Sequence, residues 1–96
     1  MLTHVVLFNF KETATPEQRA KLLQKGAEDL SKIPGVKNLI GGPNVREGSD
    51  FSHGLVMQFA TRQELQAYID HPLHMDLVNT IWSDTVASYT VFDLES

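Results

Sequence analysis

The sequence contains no cysteine, which excludes a disulfide framework, a thiolate metal site and a cysteine nucleophile. No apolar run approaches the roughly 18 residues of a membrane span. Nor is there a Lys/Arg cluster of the kind a phosphate backbone requires, and the net charge is −4. Neither a membrane nor a nucleic acid is therefore expected as a partner. Met1-Leu2-Thr3-His4 lacks the basic segment and long apolar core of a signal peptide, so a cytoplasmic location is expected. What remains is an ordinary composition, 42% hydrophobic and 21% charged over 96 residues. That is one small domain, 1–96, with a modest buried fraction, which gains from covering a further apolar face with a partner.

Prolines are few, and one of them punctuates the densest chemistry in the chain: Tyr68-Ile69-Asp70-His71-Pro72-Leu73-His74. Pro72 removes a backbone donor and pushes His71 out of the α region, so a helix entering this stretch stops near Asp70 or His71. A second helix then starts with Pro72 in its first turn. Tyr68 ends one helix and His74 begins the next.

Residues 3–10 are β-branched and aromatic and form a strand. Alternation places His4, Val6, Phe8 and Phe10 on one face and Thr3, Val5, Leu7 and Asn9 on the other. Both faces are largely apolar, so both are expected to be covered. Thr15-Pro16-Glu17-Gln18 reads as a capping box, opening a helix of about four turns with Ala20, Leu23, Ala27 and Leu30 as its buried stripe. Ile33-Pro34-Gly35 ends it. Val36–Gly42 and Phe51–Ala60 are further strands, separated by a polar loop. Thr61 caps a short helix through Ile69, and Leu73, Leu77, Val78, Ile81, Trp82 and Thr85 line a helix after Pro72. Ser88–Leu94 closes the chain as a strand. The order β-α-β-β-α(α)-β is the ferredoxin-like α+β pattern, with a four-stranded antiparallel sheet and helices on one face.

In that topology the first and third strands are central, which brings His4 and His53 towards one another beneath a helical layer carrying Tyr68 and His74. One mixed apolar pocket receiving all four is expected, the usual form of a small-ligand site. An imidazole takes and returns a proton near neutrality, and a tyrosine hydroxyl can hold a carbonyl oxygen as an enolate forms. Each residue also has an ordinary role: strand histidines hydrogen-bond, Tyr68 packs in the core, His71 ends a helix against a carbonyl, and Asp93 is an exposed strand-end carboxylate. His71 and His74 stand three apart, yet Pro72 breaks the helix between them, so they do not read as a metal pair. No cofactor is expected.

His-Val-Val-Leu-Phe-Asn-Phe at 4–10, Ile-Pro-Gly-Val at 33–36, Gly-x-Asn-Val at 42–45, Ser-His-Gly at 52–54, Tyr-Ile-x-His-Pro-x-His at 68–74 and Val-x-Asp at 91–93 resemble the stress-responsive A/B barrel (Dabb) domain family over nearly the whole chain. The resemblance implies a ferredoxin-like fold that forms a homodimer through the open faces of its sheets, a dimeric α/β barrel. It also implies, from a plant member that cyclises a linear polyketide thioester, that His74 is a general base and Tyr68 its oxygen-handling partner. His4 and His53 would then be pocket residues and Asp93 an orienting partner of the base. Some relatives hold a magnesium ion near the segment matching Ile33–Val36. The function this implies is binding of a small apolar carbonyl-bearing metabolite, with cyclase- or lyase-like proton transfer. The alternatives are a non-catalytic dimeric binding or stress-protective module, and a cofactor-independent monooxygenase-like dimeric barrel.

Overall fold

A computed structural model describes residues 1–96. The elements are β1 (Leu2–Phe10), α1 (Pro16–Leu30), β2 (Lys37–Pro43), β3 (His53–Phe59), α2 (Arg62–Asp70), α3 (Pro72–Leu77), a π turn (Val78–Trp82), α4 (Ser83–Thr85) and β4 (Val86–Glu95). The strands form one antiparallel sheet in the order β2-β3-β1-β4. This is the ferredoxin-like α+β fold.

Local chemistry sets the helix starts. Thr15 Oγ1 accepts from the Gln18 N–H at 3.1 Å, and Gln18 Oε1 accepts from the Thr15 N–H at 2.8 Å. Thr61 Oγ1 caps α2 through the Glu64 N–H at 3.1 Å. Each such cap contributes about 1 kcal/mol. Gly35 turns the chain from α1 into β2 at φ +91°, and a Cβ there would stand 2.8 Å from Glu64 Oε2. Asn38, with φ +53°, sits where the β2–β3 register shifts between Lys37 and Ile40. Its side chain bonds Gln58 Oε1 at 2.7 Å, which holds this irregularity in place.

Register assigns the two faces of the sheet. His4 pairs with Met57 and Asp93, Val6 with Leu55 and Val91, and Phe8 with His53 and Tyr89, so all of these point towards the helices. The core lies there. Phe59, Met57 and Tyr68 are the most deeply buried large side chains, with Leu22, Leu30, Leu65 and Leu77 packed around them. The opposite face presents Val5, Leu7, Val56 and Ile40 with Phe92 and Leu94, and no element of the chain covers it. Ile40 is 66% exposed, Leu94 58% and Phe92 45%.

The stripe expected on α1 is displaced. Leu22, Gly26 and Leu30 face the core, whereas Ala20, Leu23 and Ala27 are exposed. The reason lies at Gly26, where the helix approaches Leu77: a Cβ would meet Leu77 Cδ2 at 3.9 Å. A glycine adds nothing to an apolar periodicity, so the Leu–Ala spacing one residue away looks the stronger pattern. The helix after Pro72 does bury Leu77 and Thr85 and half-buries Leu73, Val78, Ile81 and Trp82, but a π turn interrupts it at Val78–Trp82.

Candidate active site between the sheet and the broken helix

The break at Pro72 builds the site. Leu73, in α3, turns its N–H to His71 Nδ1 at 3.1 Å, and not to the Ile69 carbonyl four residues back. His71 thus caps α3 through a backbone N–H (a carbonyl was expected). Ile69's carbonyl, left without its helical partner, accepts from His74 Nδ1 at 2.9 Å. That bond fixes the tautomer of neutral His74: Nδ1 carries the proton and Nε2 the lone pair.

On the sheet, antiparallel pairing sets Asp93 directly opposite His4. Asp93 Oδ1 accepts from His4 Nδ1 at 2.5 Å, with the histidine side chain 7% and the aspartate 38% exposed. Asp93 therefore orients His4, not His74. This corrects the expected partnership with the base: a residue on the edge strand reaches its ladder neighbour before anything in the helical layer. Tyr68 lies between the two imidazoles. Its ring centroid is 5.7 Å from that of His4 and 4.6 Å from that of His74. No buried side-chain polar atom lacks a partner. The Tyr68 hydroxyl, which bonds no group of the chain, therefore opens onto the cavity that Tyr68 lines.

That cavity measures about 270 Å³ and is lined by His4, Tyr68, His74 and Asp93 together with Val6, Leu30, Leu55, Ile69, Val78, Trp82, Tyr89 and Val91. It opens beside β4, where Tyr89 and Val91 remain half exposed. Leu55 and Trp82 are the wall it shares with a second apolar cavity of about 250 Å³ reaching under α1. Tyr89 falls in no motif of the sequence, and Val91 enters only through Val-x-Asp at 91–93. Their alternation with Asp93 on β4 is the signal that places them on the same face.

His53 is not in this cavity. It pairs with Phe8, four residues along β3 from Met57, the partner of His4. Four residues of strand are about 13 Å, so a shared face does not make the two histidines neighbours. The His53 ring stacks on Phe8 with centroids 5.6 Å apart and meets Phe10 edge-on at 4.6 Å. Its Nδ1 lies 2.8 Å from Ser52 Oγ.

Electrostatics separate the groups further. Burial pushes the Tyr68 hydroxyl well above the ordinary phenol range, so the proton stays on the oxygen. Burial lowers the pKa of His74, the hydrogen bond to Ile69 partly offsets this, and neighbouring His4 adds a smaller lowering. For His53, partial burial lowers the pKa first and the Arg19 guanidinium second. At neutral pH the cavity thus holds a phenol donor beside a neutral His74 imidazole.

No group of three or more His, Asp or Glu side chains is arranged to hold a metal ion. In the segment Ile33–Val36, the Ile33 carbonyl accepts from the Val36 N–H at 3.3 Å. The Gly35 carbonyl faces Lys37 Nζ at 3.5 Å, and the same ammonium lies 3.4 Å from Glu64 Oε2. The Lys37 ammonium thus bridges the Gly35 carbonyl and the Glu64 carboxylate on the exposed side of this segment.

The family model of the stress responsive A/B barrel domain matches residues 2–96. The chain belongs to the Dabb family. A crystallised Dabb protein with a ferredoxin-like fold from Mesorhizobium loti is 25% identical, covers 99% of this chain and 95% of its own, and superposes with a TM-score of 0.91. A dimeric ferredoxin-like protein from Thermobifida fusca is 22% identical, with 99% and 90% covered and a TM-score of 0.86. Olivetolic acid cyclase from Cannabis sativa is 24% identical over 85 residues, 82% of this chain and 84% of the cyclase. In the Dabb domain described here, no helix is long and apolar enough to cross a membrane.

Proposed function

We propose that this Dabb domain binds a small, mostly apolar, carbonyl-bearing molecule in the cavity between His4, Tyr68 and His74, and moves a proton on it. His74 Nε2 would take a proton from the carbon next to the carbonyl. The C–H electron pair becomes the enolate double bond, and the charge arriving on the carbonyl oxygen is held by the Tyr68 hydroxyl. His4, oriented by Asp93, lies beside the bound molecule. The single observation that carries this reading is the pinning of both imidazoles at Nδ1, by Asp93 and by the Ile69 carbonyl, around a phenol whose hydroxyl is free. Each ring keeps Nε2 for a ligand. The similarity to a cyclase supports the same chemistry.

Hydrogen–deuterium exchange at the α-carbon of phenylacetone in D2O tests it, followed by proton NMR. Exchange above the buffer rate is expected. Removing the base in His74→Ala should lower it by about 10²-fold or more, with the far-ultraviolet circular dichroism unchanged. A variant that exchanges as fast as the native chain would overturn the assignment of His74.

A second copy is the proposed cover for the open sheet face. Val5, Leu7, Val56, Ile40, Phe92 and Leu94 form an apolar surface that no element of the chain covers, the kind of face that marks an interaction site. The dimeric description of the Thermobifida fusca relative supports a homodimer joined through these faces. Sedimentation at micromolar concentration should give twice the chain mass, and a monomer there would sink the idea.

A further inference from the structure

Resting on the proposed binding role of the cavity, we infer that the site filters ligands by charge: it accepts uncharged carbonyl compounds and excludes the carboxylates of the same skeleton. No lysine or arginine lines the cavity, and Asp93 is its one carboxylate. The His4–Asp93 pair supplies no net positive charge. With the Nδ1 proton shared towards Oδ1 and Nε2 bare, the pair is anionic; with both ring nitrogens protonated it is neutral. Across the cavity, His74 donates its Nδ1 proton to the Ile69 carbonyl and offers a lone pair. Tyr68 offers one hydrogen-bond donor.

An entering carboxylate would exchange its water shell for one phenol donor, apolar walls and a facing carboxylate. Burial of a charge without a partner is strongly unfavourable. A ketone, aldehyde, ester or thioester loses far less water and still finds the Tyr68 hydroxyl for its oxygen. The His74 Nε2 lone pair further favours a ligand with a donor of its own, a hydroxyl, an enol or an acidic C–H. If the chemistry makes an acid, the same arrangement expels it.

Phenylacetone and phenylacetate are nearly isosteric and differ in this charge. Titrating each into the 15N-labelled native protein at pH 7.5, with the amides of Leu73, His74 and Asp93 as reporters, gives both dissociation constants. Phenylacetone is expected to bind at least about tenfold more tightly. Asp93→Asn should narrow the gap several-fold by improving phenylacetate binding, and the native comparison stands alone if that variant does not fold. Equal or tighter binding of phenylacetate overturns the filter while leaving the cavity a binding site. No shift from either compound overturns the binding role itself, and the filter with it.

Discussion

His71 and His74 divide between them the two backbone groups that the break at Pro72 leaves open. His71 Nδ1 accepts the Leu73 N–H, and His74 Nδ1 donates to the Ile69 carbonyl. One imidazole is a cap and the other is aimed by a helix end. Their single-site variants should therefore separate. His71→Ala removes an N-cap and should cost about 1 kcal/mol, read as a melting temperature lower by about 4–8 °C for a domain of this size. Exchange activity per folded molecule should change little. Equal loss of activity in both variants would contradict the division.

Tyr68→Phe isolates the hydroxyl from the ring. The ring is buried against Phe59, with centroids 5.2 Å apart, and the hydroxyl bonds no group of the chain. Stability should change by less than about 1 kcal/mol, while exchange into phenylacetone falls at least tenfold. Phe59→Ala is the contrasting case. It removes a fully buried ring at a cost of about 3–5 kcal/mol, a large share of a small domain's stability. Denaturant titration of the three proteins ranks them, and a Tyr68→Phe as unstable as Phe59→Ala would make the hydroxyl structural.

Stability should rise with pH around 6. His74 and His53 both have folded pKa values lowered below the ordinary 6.5, so the unfolded chain binds more protons just below that value. Their contribution is fully present above the unfolded pKa and is lost as pH falls through 6.5 towards the folded values. The guanidinium chloride midpoint should be higher at pH 7.5 than at pH 5, and His53→Gln/His74→Gln should flatten that difference. An unchanged slope in the double variant would place the dependence elsewhere.

Ile40→Lys and Phe92→Lys introduce charge on the open sheet face, at positions already exposed in the single chain. Each should leave circular dichroism unaltered and shift the sedimenting species to the monomer. Retention of the dimer by both variants would mean that a different surface joins the copies.

Gly35→Ala combines a left-handed backbone with a clash. The new Cβ would stand 2.8 Å from Glu64 Oε2 at φ +91°, and a loss of more than 1 kcal/mol is expected. Glu64→Ala in the same chain should recover the part due to the carboxylate, and leave the part due to φ and to the tight 3.2 Å approach to the Glu64 Cβ. Full recovery would show that the backbone conformation costs nothing.

Element order and the break at Pro72 were legible in the sequence because each has a local cause: a capping box, a proline, a run of β-branched residues. The sheet face of His4 was legible for the same reason, since alternation needs no tertiary information. Distance along the sheet was not. His53 shares a face with His4, but only the register of β1 against β3 shows that Phe8, and not His4, is its neighbour. Asp93 was found as a candidate, while its partner depended on the β1–β4 pairing. On α1, Gly26 erased from the pattern one of the three positions that the helix buries.

The π turn at Val78–Trp82 has a consequence for how the site could diverge. One residue more or less in an α-helix rotates everything beyond it by about 100°. A wide turn takes up such a residue locally, so His74 before it and Asp93 after it keep facing one cavity while the side chains within it change their aim. Trp82, part of the wall between the two cavities, belongs to that adjustable segment. A one-residue deletion at the exposed Asn79 or Thr80 would therefore re-phase the wall and redraw the space a ligand meets, with the proton-handling groups left where they are.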